Sequence, residues 1–123
     1  MDIVFATIEA ESKGKNITGD NGRAFGYGQV WLKWHYNKLK KVAELLGRKI
    51  PTKPTNIEDE HEFTKVILED DELSMYLAVE TIKELWNNSC GWEDFLKKYV
   101  GPAIPSSEQK RRSKILKKYQ KVY

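Results

Sequence analysis

"IEAESKGKNITGDNGRAFGYGQVW", residues 8–31, decides how this chain is read. Its first residues close a helical stretch over about 2–13, and the remainder is loop chemistry. Gly14, Asn16, Gly19, Asp20, Asn21 and Gly22 are residue types that suit turns. Three glycines then fall between Gly22 and Gly28, just ahead of Gln29 and Trp31. Helix geometry separates the two glutamates that precede the loop. At about 100° per residue, Ile3, Val4, Thr7 and Ile8 share one stripe. Glu11, four residues after Thr7 and three after Ile8, falls at its centre. Glu9 falls on the opposite face, where water can solvate it. A carboxylate on a core-facing stripe is costly unless it is paired or protonated. Glu11 therefore has two readings. It is a general acid whose proton is retained by partial burial, or a structural carboxylate bonded to backbone or to an arginine.

Outward from this stretch the chain reads as helix after helix. A helical segment resumes near Gln29 and runs to Leu46 with a break near His35, and Gly47 suits its C-cap. Pro51 and Pro54 mark a connection, and Asn56 caps the next helix with Asp59 in its first turn. The segment from about Glu72 to Asn87 is apolar nearly all the way round, which places it in the middle of a domain. Asn87, Asn88 and Gly91 end it, and Trp92 to Tyr99 form a short helix. After Gly101, Pro102 and Pro105, Ser106 with Gln109 fits a capping box. The helix it opens carries Ile115, Leu116, Tyr119, Val122 and Tyr123 on one stripe, with Lys and Arg on the other face. Almost nothing alternates with period two. The expected fold class is all-α, with at most a small β-hairpin in the 14–28 region.

At 123 residues the chain is one domain, 1–123, and 40% hydrophobic with 32% charged residues excludes a disordered composition. No apolar stretch is long enough to span a bilayer, and the opening Met-Asp-Ile-Val shows no secretory signal. Cys90 is the single cysteine, has no histidine near it in sequence, and reads as a structural or incidental thiol. Net charge is +3, concentrated in residues 101–123, which hold seven Lys/Arg against one Glu. This basic helix, at about 106–122, suggests a polyanionic partner; the plainer alternative is a solvated face. His35 and His61 lack partners at metal spacing, and Glu69-Asp70-Asp71-Glu72 lacks the glycine turn of a calcium loop. No metal and no cofactor are expected, and the acidic run reads as a solvated helix N-terminus.

"IEAES", then a glycine-bearing loop and "GRAFGYGQVW", resembles the lysozyme-like superfamily, above all the soluble lytic transglycosylases and goose-type lysozymes. Glu11-Ser12 matches the Glu-Ser helix end of that family, and Gly26-Tyr27-Gly28-Gln29 matches its Gly-x-x-Gln segment. Tyr99-Val100-Gly101 matches a Tyr-Asn-Gly segment, with Val100 in place of Asn. The resemblance implies a lysozyme-like catalytic domain that cleaves peptidoglycan between N-acetylmuramic acid and N-acetylglucosamine, with Glu11 as general acid/base. It places Ser12 beside the substrate, Gln29 along the sugar cleft and Tyr99 pointing at the acid. One-acid chemistry of this type ends in 1,6-anhydro sugars; plain hydrolysis by a muramidase on the same fold is the alternative, with Asp20, nine residues after Glu11, as a possible second carboxylate.

Gly22, Gly26 and Gly28 would let backbone approach a sugar chain or simply form a tight turn, and Phe25, Tyr27, Trp31 and Trp34 are candidate sugar platforms or core residues. The partners expected are glycan strands, with anionic wall polymer on the basic helix. A monomer without membrane insertion is expected, made in a host cytoplasm as a phage lysis or virion enzyme. Two further readings stand beside this one: a small all-α nucleic-acid-binding module, and a lysozyme-like fold that binds glycan without cleaving it.

Overall fold

The structure, a computed structural model, describes residues 2–19 and 24–120, with the side chains of residues 31–34 and 57 excepted. Helix α1 (Asp2–Ser12) buries Ile3, Val4, Ala6, Thr7, Ile8 and Ser12. It ends where Lys13 and Gly14 both take left-handed backbone, at φ 56° and 76°. Three two-residue strands follow: β1 (Thr18–Gly19), β2 (Ala24–Phe25) and β3 (Val30–Trp31). They form an antiparallel sheet in sequence order, with Phe25 opposite Thr18 on one side and Val30 on the other. The fold is mainly α with one small sheet.

Helix α2 (Leu32–Leu45) leaves β3 directly and passes His35 without interruption, contrary to the expected break. The sheet takes up Val30 and Trp31, so the change of conformation comes before the helix and not inside it. At its far end Gly47 is left-handed at φ 70°. The Gly47 N–H reaches the Glu44 carbonyl at 3.1 Å, and the Arg48 N–H reaches that of Ala43 at 2.8 Å. These two bonds satisfy carbonyls the helix end would leave open. Helix α3 (Ile57–Leu68) is capped by Asn56, which accepts the Asp59 N–H at 2.8 Å. Helix α4 (Asp71–Asn87) is capped by Asp70, which accepts the Leu73 N–H at 3.2 Å. Helix α5 spans Trp92–Tyr99 and α6 spans Ser106–Gln120. The expected capping box at Ser106 is not formed. Ser106 is already helical, the Pro105 carbonyl accepts the Gln109 N–H at 3.0 Å, and the Gln109 side chain turns to the Ile104 carbonyl.

Helix α4 stands between two cores. Leu73 and Leu77 pack with Phe25, Leu39, Val42, Phe63 and Ile67, while Ala78 and Ile82 pack with Ile3, Val4, Ile8, Phe95, Leu96 and Leu116. Each large side chain so buried stabilises the fold by roughly 1.5–3 kcal/mol. Tyr76 stays half exposed, so the helix is central without being enclosed. Among the described residues no helix is long and apolar enough to cross a membrane. The end of α1, the turn between β2 and β3, and α5 all meet beside α4.

Candidate active site

The turn Gly26–Gln29 joins β2 to β3 and is held from several sides. Gly26 has φ 77° and Gln29 has φ 49°, an uncommon conformation for a residue with a Cβ. The Gln29 amide compensates locally: its Nε2 donates to the Ile17 and Gly26 carbonyls, both at 2.9 Å. Ser12 fastens the turn to α1, its hydroxyl lying 2.8 Å from the Tyr27 carbonyl and 3.1 Å from that of Ile8. Tyr99 fastens it to α5 by donating to the Gly28 carbonyl at 2.6 Å. A Cβ on Gly28 would lie 2.9 Å from the Tyr99 hydroxyl and 3.2 Å from the Ala78 Cβ. The structure thus joins all three motif elements, Glu11-Ser12, Gly26 to Gln29, and Tyr99, through two hydrogen bonds.

That arrangement gives several of the expected residues a place within the protein. Ser12 is buried and bonded to backbone, so it clamps the turn to α1. Gly28 lacks a side chain because protein packs against it. The Tyr99 hydroxyl donates to the Gly28 carbonyl and lies near enough to Glu11 to feel its charge. Phe25 is wholly buried in the core and offers no sugar platform. Tyr27 is part-exposed and donates to Asp71, while Asp70 and Glu72 of the acidic run pair with Arg48 at 3.1 and 2.9 Å. Asp20 and Gly22 lie outside the described residues, as do the side chains of Trp31 and Trp34.

Glu11 is mostly buried, its side chain 17% exposed, and its carboxylate accepts from Arg112 Nη2 at 2.5 Å. Arg112 is itself buried on α6 and gives its Nε to Glu108 at 2.8 Å. Arg111 completes the group with bonds to Glu108 at 2.9 and 2.7 Å and to the Ala10 carbonyl at 3.0 Å. Two carboxylates therefore flank one guanidinium, and their proton affinities are driven apart. Burial pushes the Glu11 pKa up, with Arg112 opposing and Glu108 reinforcing. Bonds from Arg111 and Arg112 hold Glu108 down at about 2. A carboxyl whose proton affinity is raised beside one whose affinity is lowered is a pattern found at acid/base sites. Burial also raises the Tyr99 hydroxyl, and the Glu11 charge adds to this.

Gln29 and Tyr99 line a cavity of about 440 Å³ with Val30, His35, Thr81, Leu85 and Lys98. An adjoining hollow shares His35, Thr81 and Leu85 and extends the groove along α2 and α4 to Lys41 and Asn88. Burial lowers the His35 pKa, which leaves the imidazole neutral at pH 7. Glu11 is not among the residues lining either space. Glu108 escaped sequence reasoning, and Arg112 is buried rather than on the solvent face expected for the Lys and Arg of this helix, because it stands three residues before Ile115 and four before Leu116, on their apolar stripe. Comparison with models of protein families, with curated proteins and with solved structures gives no match. The lysozyme-like resemblance rests on the motif residues themselves.

Proposed function

We propose that this chain is a peptidoglycan-cleaving glycosidase in which Glu11 is the general acid/base. The observation that carries this reading is a buried carboxyl with a raised pKa at the end of α1, one residue from the Ser12 clamp on the Tyr27–Gly28 turn. In the proposed reaction Glu11 gives its proton to the oxygen bridging N-acetylmuramic acid and N-acetylglucosamine as the C1–O bond breaks. The substrate's own N-acetyl carbonyl attacks C1 in place of a second carboxylate, as in substrate-assisted enzymes. Glu11, now ionised, takes the proton of the C6 hydroxyl, whose oxygen closes on C1 and expels the acetamido oxygen. The product is a 1,6-anhydro end, formed without water. A water entering in place of the C6 hydroxyl gives a reducing end, the muramidase outcome.

A second reading has its own support. The 2.5 Å contact from Arg112 suits a structural carboxylate in a glycan-binding fold that does not cleave. Incubating purified protein with peptidoglycan, beside Glu11→Gln, separates the two by mass spectrometry of released fragments. Anhydro ends lost in the variant support the transglycosylase, and reducing ends lost in the variant support hydrolysis. No release by wild type, or equal release by the variant, removes Glu11 from the chemistry. On α6, Arg111, Arg112 and Lys118 are engaged within the protein, whereas Lys110, Lys114 and Lys117 are exposed. Those three are the cations left on that helix for anionic wall polymer. A salt-titrated DNA-binding assay tests the nucleic-acid alternative, which requires a steep loss of affinity with salt. A phage lysis or virion enzyme is the setting this reading suits.

A further inference from the structure

The α6 arginines raise a question that wall binding does not answer: why a helix so basic turns two of its cations toward the end of α1. A lone arginine against Glu11 would hold that carboxylate ionised and leave it useless as a proton donor. The structure supplies a competitor. Arg112 has a rigid planar fork of donors, and it directs Nη2 to Glu11 at 2.5 Å and Nε to Glu108 at 2.8 Å. Glu108 cannot swing away from it easily, because Arg111 grips both Glu108 oxygens, at 2.7 and 2.9 Å. Arg111 is itself tied to α1 at the Ala10 carbonyl, the residue before Glu11.

We propose that Arg112 is the positioning residue for the Glu11 carboxyl, and that Glu108, by holding the same guanidinium, limits how far its charge favours ionised Glu11. This rests on the reading of Glu11 as the general acid. Arg112 orients the carboxyl through one donor, and Glu108 offsets the charge of that donor. The carboxyl is thereby aimed while the pull of the guanidinium on its proton is reduced. Among the described residues, the groups facing Glu11 are Arg111, Arg112 and Glu108 from α6 and Tyr99 from α5. Of these, Glu108 is the carboxylate that opposes the arginines.

The test uses the full chain in three forms: wild type, Glu108→Gln and Arg112→Met. The Glu11 carboxyl is titrated by carbon NMR, and the pH profile of kcat/KM for glycan cleavage is recorded beside it. Removing the Glu108 charge is expected to lower the Glu11 midpoint and to carry the alkaline limb of the profile to lower pH with it. Above the limb each unit of displacement reduces activity about tenfold. Arg112→Met is expected to move the midpoint the opposite way and to reduce kcat more than it changes KM. If that variant does not fold, Glu108→Gln decides alone, since its side chain is partly exposed and the change is isosteric. A Glu11 midpoint that stays in place or rises in Glu108→Gln overturns the proposal. So does a midpoint that falls while the limb stays, in a protein whose Glu11→Gln variant is dead. A wild type that releases no glycan at any pH defeats the glycosidase reading instead; the titration then still decides whether Glu108 governs the protonation of Glu11.

Discussion

Glu9 and Glu11 lie two residues apart on α1, and both are held by cations of α6, yet their carboxyls respond in opposite directions. Glu9 accepts from Lys118 at 2.6 Å and from Tyr119 at 2.8 Å, and these bonds lower its pKa. Glu11 accepts from Arg112 at 2.5 Å, and its pKa is raised all the same. The contact distances are alike, and Glu11 is the more deeply buried of the two, its side chain 17% exposed against 29% for Glu9. Glu9 keeps water as a co-solvent and gains from its partners. Glu11 has lost most of its water, and one guanidinium shared with Glu108 does not restore it. An ion pair therefore does not by itself say which protonation state a carboxyl holds; the water removed decides. The comparison also corrects the expectation that Glu9 is simply solvated, because it anchors α6.

The largest expected break in this symmetry is catalytic. Glu11→Gln is expected to reduce release of glycan fragments by about 10²–10⁴-fold, the usual loss for a general acid, whereas Glu9→Gln leaves it close to wild type. Equal losses in the two variants would remove the distinction drawn here. Stability should move the other way. Because burial disfavours the ionised form of Glu11, its amide isostere is expected to melt at the same temperature or higher at pH 7.

Next in size is the contrast between the partners. Arg112→Met strips a buried guanidinium from two carboxylates and is expected to destabilise the fold by about 3–5 kcal/mol in urea unfolding. Lys118 is largely exposed, and Lys118→Met should leave the urea midpoint close to that of wild type. Similar losses for both would mean that burial is not what separates the two pairs. Smaller again is Gly28→Ala, whose added Cβ would meet the Tyr99 hydroxyl and Ala78. It is expected to cost about 1–3 kcal/mol, read from the urea midpoint. A Gly28→Ala protein as stable as wild type would show that the turn yields freely against α4 and α5.

The subtlest test is pH. Glu9 and Glu108 have lowered pKa values, so their contribution to stability is present above the ordinary carboxylate range. It is lost as pH falls, for Glu108 on the way down to about 2. Glu11 has the opposite sign. Its folded form holds the proton more tightly than the unfolded chain, so it favours the fold at low pH, and that advantage is lost as pH rises through its raised pKa. Urea midpoints followed across pH should therefore lose part of their acid-side fall in Glu108→Gln and part of their rise-limiting term toward neutrality in Glu11→Gln. Parallel curves for wild type and both variants would contradict these signs.

Several features were legible residue by residue. Asn56 caps α3, Gly47 ends α2, α4 takes the centre, and Glu11 stands on the buried side of α1, because each depends on short-range geometry that spacing encodes. The misses share a different origin. Ser106 could not be known to lose its capping role to the Pro105 carbonyl, nor His35 to sit within an unbroken helix, because neighbouring elements settle both. Phe25 and Gly28 were left open rather than misread, since their residue types, like that of Ser12, serve equally well against ligand or against protein. Only through-space neighbours show that all three face protein.

The sequence by itself determined that Glu11 would stand on an apolar stripe of α1, beside Thr7 and Ile8, and that Ile115 and Leu116 would share a stripe of the last helix; that Arg112 joins the second stripe went unread. Helical periodicity is a local property, and it places side chains on faces without knowing what lies opposite. The tertiary structure decided that these two faces meet, that Glu108 and Arg111 join them, and that the Ser12 and Tyr99 hydroxyls close on one turn. Whether an ionisable group keeps its proton depends on the water and charge around it in three dimensions, and those are set only when distant segments pack.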